Sequence, residues 1–139
     1  MKLYKKLERW SYWLRYRATY EEMKYYLKQV LKGKEGYYMK PVYSSDRAIG
    51  KSCSLVELAV KYHIPIIVPT YHWKEELERN ITLYLPKHLR KRKPIVLVAN
   101  ENLLGRKYDI LLVEECLDAE QINIVKQVAN SIVGYDRMY

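Results

Sequence analysis

Three short, nearly solid apolar runs constrain this chain more than any other feature: residues 64–68, 95–99 and 110–113. An alternating run suits a strand with one wet face, whereas a solid run suits a strand covered on both faces. Cover on both faces calls for helices, and the patterning between the runs supplies them. Leu55, Leu58, Ala59 and Tyr62 make a helical face, residues 73–79 read as helix, and Asp118 caps a helix running to about Val128. Residues 37–43 read as a strand that Pro41 weakens, residues 81–85 alternate weakly, and residues 131–135 make a last strand. Strands alternating with helices at this spacing predict an α/β fold around a mostly parallel sheet.

A chain of 139 residues has room for one core, and 49% apolar with 29% charged residues is the balance of a folded protein. Two cysteines cannot staple a small secreted scaffold. No apolar stretch approaches the ~20 residues a spanning helix needs. The first twenty residues are studded with Lys and Arg and show no signal-peptide core. The expectation is a cytoplasmic protein in a reducing compartment, with no membrane partner. Fifteen Tyr and no Phe mean that Tyr fills aromatic core positions, where each buried hydroxyl needs a partner.

The formal charge of +9 is concentrated at one end. Residues 1–40 hold eleven cations against four acids, whereas residues 41–139 hold fourteen against twelve. Leu3, Leu7, Trp10 and Leu14 recur at helical spacing. Thr19 with Glu22 reads as a capping box that starts a second helix, striped by Met23, Tyr26, Leu27, Val30 and Leu31 and stopped by Gly33 and Gly36. Residues 1–36 are therefore expected to form a basic, aromatic-rich helical hairpin ahead of a core in residues 37–139. The first stripe should be buried, leaving Tyr12, Tyr16 and Tyr20 to face outward. Lys5, Lys6, Arg9 and Arg15, with a second basic group of Arg90, Lys91, Arg92 and Lys93, are candidate contacts to nucleic-acid phosphates. The plainer reading of both groups is a solvated surface.

Ser45-Asp46-Arg47-Ala48-Ile49-Gly50-Lys51-Ser52 follows a candidate strand and opens a candidate helix. Its last three residues match a phosphate-binding loop, G-x-x-x-x-G-K-[S/T], and Ser45 replaces the first Gly. In that reading backbone N–H groups wrap phosphate at a helix N-terminus, Lys51 reaches the β- and γ-phosphates, and Ser52 meets Mg²⁺. Asp46, Arg47, Ala48, Ile49, Gly50, Lys51, Ser52 and Cys53 are the candidate nucleotide-binding residues. Residues 108–115 form an apolar strand ending in two acids, as in a Walker B element. Glu114 takes the metal place beside Ser52, and Glu115 the place that activates water, with Lys51 its catalytic partner. Each half alone is also explained by a surface turn or a strand end. The two occur in the required order, with Ser52 and Glu114 separated by 62 residues.

These residues resemble a known group. Arg47 to Ser52 is similar to the deviant phosphate loop of phage terminase motors and related helicase-like ATPases. Leu104-Gly105-Arg106-Lys107-Tyr108-Asp109, leading into Ile110, resembles their approach to Walker B. The resemblance covers roughly residues 43–135 and extends to small P-loop proteins encoded by phages. It implies a RecA-like P-loop core, ATP and Mg²⁺ as cofactors, hydrolysis of ATP, and a host-cytoplasmic setting. It also places residues 131–135 between the phosphate-loop strand and the Walker B strand. Asp46, Ala48, Cys53 and Glu114 depart from the pattern. With one core, such a protein would work as a homo-oligomer or as an accessory to a nucleic-acid-handling complex, with an Arg supplied in trans. The alternative is a degenerate P-loop fold that binds nucleic acid or blocks a host nucleic-acid-handling or defence complex. His63, His72 and His88 lack metal-ligand spacing with Cys53 or Cys116.

Overall fold

The structure, a computed structural model, describes residues 2–42, 51–81, 85–89 and 91–137. Five strands, β1 (Tyr37–Val42), β2 (Ile66–Val68), β3 (Val96–Val98), β4 (Tyr108–Val113) and β5 (Ala129–Arg137), form one sheet in the order β1-β5-β4-β2-β3. Every pairing is parallel. The helices among the described residues are α1 (Leu3–Leu31), α2 (Lys51–Tyr62), α3 (Tyr71–Arg79) and α4 (Ala119–Val128).

The helices divide between two apolar clusters. Tyr20, Met23 and Leu27 of α1 join Leu55 and Leu58 of α2 and Leu77 of α3 over Ile66, Leu112 and Val133. Val125 and Val128 of α4 pack over Ile67, Leu111, Val113 and Ile132. Alternate residues of β2 and β4 thus feed opposite clusters, which is why both strands read as solid apolar runs. The run at 95–99 has a different cause. Its strand β3 lies at an edge, with Leu97 and Val98 only half-buried and Ile95 exposed. At the other edge Pro41 sits in β1, where a missing N–H is tolerated.

The expected hairpin is one continuous helix of 29 residues. No Gly or Pro occurs from Leu3 to Leu31, so nothing interrupts the hydrogen-bond ladder. The Thr19 hydroxyl donates to the Arg15 carbonyl at 2.8 Å, an i−4 bond within the helix rather than a cap. Gly33, at φ 93°, follows the end of α1 in the left-handed conformation glycine favours, donating its N–H to Val30 O at 2.9 Å.

Helix α1 runs parallel to α2 in a fixed register. Tyr12 meets Cys53, Tyr16 meets Glu57 and Tyr20 meets Lys61, each pair 41 residues apart. That offset sets Trp10 level with Lys51, so the residues before Trp10 run on past the start of α2.

Candidate nucleotide and cation site

The site lies where the parallel strands end, the edge at which α/β sheets bind ligands. Lys51 and Ser52 open α2 after β1, and Glu114 and Glu115 follow β4. The N–H of Glu114 donates to Ile67 O at 3.1 Å, which ties the end of β4 to β2. Lys51 Nζ lies 3.9 Å from Glu115 Oε1, both side chains largely buried. The Ser52 hydroxyl hydrogen-bonds the Glu114 carboxylate. The structure therefore brings together four residues that the sequence separates into two motifs.

Glu114 is 3% exposed, and its Oε1 has no hydrogen-bond partner. Burial, with the Glu115 charge beside it, pushes its carboxyl up to about 7, against the opposing pull of the Ser52 hydroxyl and Lys51. A buried carboxylate with an unsatisfied oxygen is expensive, and either a proton or a cation relieves it. A hydroxyl beside a carboxylate oxygen is a hard donor pair of the kind Mg²⁺ accepts, and the first turn of a helix with its Lys suits phosphate.

Residues that the sequence reading passed over hold this arrangement. Gly134 of β5 pairs with Val113, and a Cβ there would run into the Val113 backbone. Its signal was a glycine inside an apolar strand. Tyr135 is buried near Ser54, and burial together with the Glu114 charge raises its hydroxyl pKa. Gln121 completes a capping box with Asp118 and donates to Pro69 O at 2.7 Å and Ala99 O at 3.1 Å, joining the ends of β2 and β3. Glu57, buried in α2, accepts from Tyr16 and lies 3.8 Å from Lys61 and 3.9 Å from Arg17.

Asp46, Arg47, Ala48, Ile49 and Gly50 of the proposed loop lie outside the described residues, as does Arg90. Cys53 is half-buried, its thiol pushed up by burial, with the Tyr12 hydroxyl 4.0 Å away, and it forms no disulfide with Cys116. His63 ends α2 at a positive φ of 55°, His72 lies 3.3 Å from Glu76, and His88 is exposed. Among the described residues no His, Cys, Asp and Glu gather as a metal cluster.

The two basic groups do not form one face. Lys5, Lys6, Arg9 and Arg15 are exposed on the first half of α1, where Arg15 also bonds Ser11 at 3.2 Å. Lys91, Arg92 and Lys93 are exposed too, but Arg92 and Lys93 line a shallow cavity with His63 and Ile64, at the opposite end of α2 from Lys51. Of the three tyrosines expected to face outward, Tyr12 is exposed and the other two are corrected. Tyr20 is fully buried and accepts from Lys61 Nζ at 2.8 Å, and Tyr16 is held by Glu57. The expected buried stripe is corrected as well: Leu3, Leu7, Trp10 and Leu14 are all exposed.

No helix among the described residues is long and apolar enough to cross a membrane. No protein-family model matches the chain, and no curated protein or solved structure matches it either.

Proposed function

We propose that the chain binds a nucleoside triphosphate, ATP by the resemblance, together with Mg²⁺ at the start of α2 and the end of β4. The observation that carries this is the buried, unsatisfied Glu114 Oε1 beside the Ser52 hydroxyl, with Lys51 and Glu115 next to them. The position of β5 between β1 and β4 supports a RecA-like core of the kind the terminase-like resemblance implies. In this reading Ser52 and Glu114 hold the ion, which supplies positive charge to the phosphates. Lys51 exchanges Glu115 for the β- and γ-phosphates. Glu115, so released, accepts a proton from the attacking water as it adds to the γ-phosphorus and ADP departs. The phage or mobile-element setting and the coupling to a nucleic-acid or partner-protein task come with the same reading.

Thermal unfolding with ATP and Mg²⁺ tests it. At 100 times the dissociation constant a specific ligand stabilises by ~2.7 kcal/mol. Lys51→Ala should abolish that shift, and Glu115→Gln should keep binding while stopping phosphate release. Absence of any shift in the wild type at millimolar ATP and Mg²⁺ would defeat the reading. A second reading, a fold of this type kept for interaction without turnover, is favoured by the uncovered first half of α1. It predicts wild-type binding to a partner with no phosphate release under any nucleotide.

A further inference from the structure

We infer that the first half of α1 is a docking face for an anionic lipid surface, against which the helix lies in plane. This inference is independent of the nucleotide reading. It starts from the largest uncovered apolar feature among the described residues. Leu3 is 71%, Leu7 53%, Trp10 62% and Leu14 42% exposed, with Tyr4 and Trp13 beside them. Scattered exposed leucines are ordinary, but a contiguous stripe of this size marks an interaction surface.

The stripe is placed where a flat surface can reach it. At about 100° per residue, Leu3, Leu7, Trp10 and Leu14 share a sector about 60° wide. Thr19, Tyr20, Met23, Leu27 and Val30, which seat α1 on the body, are centred about 160° away round the same axis. The stripe therefore faces away from the sheet, and a plane can approach it without meeting the other described residues. At its far end the Arg17–Glu21 ion pair, 3.3 Å, replaces apolar side chains with charge.

Charge selects among the occupants. Residues 2–18 carry six cations against Glu8 alone. A second copy of the chain would bring the same charge to the same face, so self-pairing is opposed. The spacing of four, three and four is that of a coiled-coil seam, but the positions flanking such a seam hold Tyr4, Lys6, Ser11 and Trp13. With only one charge among them, they cannot choose an acidic partner helix by charge pairing. A single nucleic-acid strand would use the aromatics and cations and leave Leu3, Leu7 and Leu14 uncovered. A lipid surface uses all of them. The leucines enter the acyl boundary, Trp10 and Tyr4 sit at headgroup depth, and Lys6 and Arg15 on the two borders reach the lipid phosphates.

The test uses the full chain and sedimentation with vesicles, either pure phosphatidylcholine or an equal mixture of phosphatidylglycerol and phosphatidylcholine. The wild type should partition onto the mixed vesicles with a blue shift in tryptophan emission, and about tenfold more weakly onto the neutral ones. Leu7→Ser with Trp10→Ser should lose at least about tenfold in binding to mixed vesicles at unchanged melting temperature, since both side chains are already in water. Lys6→Gln with Arg15→Gln should weaken binding and reduce its salt dependence while keeping the melting temperature. Wild-type protein left in the supernatant of mixed vesicles overturns the proposal. So does binding that survives Leu7→Ser with Trp10→Ser, which would make the attraction purely electrostatic. A single-stranded oligonucleotide bound more tightly than the vesicles and released by the same double change would assign the stripe to nucleic acid. A dimer in light scattering that this change dissociates, without vesicle binding by the wild type, would assign it to a second copy.

Discussion

The two halves of α1 have similar compositions and opposite fates. Residues 3–14 carry Leu, Trp and Tyr at helical spacing and stay largely in water; residues 19–31 carry Met, Tyr, Leu and Val at helical spacing and form one wall of the core. The difference lies in where the helix sits, because α2 lies beside α1 only from about Trp10 onward. The apolar sector also turns to the opposite side between the halves. Amphipathic spacing thus tells which residues share a face, but only tertiary contacts decide whether that face is covered.

The sharpest way to break this comparison is to empty both halves in turn. Leu27→Ala, a fully buried position, should cost about 2–5 kcal/mol in denaturant unfolding. A cost under about 1 kcal/mol would mean that the second half does not sit in a packed core.

The next effect belongs to a buried carboxylate, Glu114. Glu114 holds its proton more tightly folded than unfolded, because burial and then Glu115 raise its carboxyl from 4.5 to about 7. Its favourable contribution is present below about pH 4.5 and is lost as pH rises towards 7. Without metal or nucleotide, Glu114→Gln should therefore stabilise the protein at pH 8, on the order of 3 kcal/mol, and flatten stability between those two values. Thermal melts across pH check this, and Mg²⁺ with ATP should reverse the advantage of Glu114→Gln.

At the boundary between the halves, Tyr16→Phe removes the hydroxyl that donates to Glu57 and should cost about 1–3 kcal/mol, since a buried carboxylate loses a donor. Chemical denaturation of this variant and of Glu57→Gln, singly and together, should show less than additive losses. The smallest effect belongs to the first half. Leu7→Ala should change stability by no more than about 0.5 kcal/mol, and a loss above ~2 kcal/mol would show that the stripe is covered in the free protein.

Much of the sheet was legible because its physics is local. Solid apolar runs marked β2 and β4, Asp118 capped α4 as its side chain implies, and the pattern at 131–135 found the core of β5. The hairpin was not legible, since Thr19 and Glu22 match a capping box whether or not the helix continues. Only the unbroken run of helix formers spoke against a turn. The edge place of β3 was hidden because its residues read like those of an interior strand. At the candidate site, motif order grouped Lys51 and Ser52 with Glu114 and Glu115, and the structure places these four side by side. Glu57 and Gly134 were missed because their roles depend on neighbours distant in sequence, on α1 and β4 respectively.

The order β1-β5-β4 has a consequence for how the chain is made. The strand that comes last of the five in sequence fills an interior place, second in the sheet: Tyr37 pairs with Ile132, and Leu111 pairs with Ile132 from the other side. During synthesis at about 5–20 residues per second, β1 has left the ribosome several seconds before β5, its neighbour among the described strands, exists. Until β5 arrives, β1 and β4 present open hydrogen-bonding edges on either side of an unfilled slot, in a chain already rich in uncovered leucine and tryptophan. The nascent chain is thus prone to aggregate until β5 is made, and folding of the sheet waits on the strand that follows the other four in sequence.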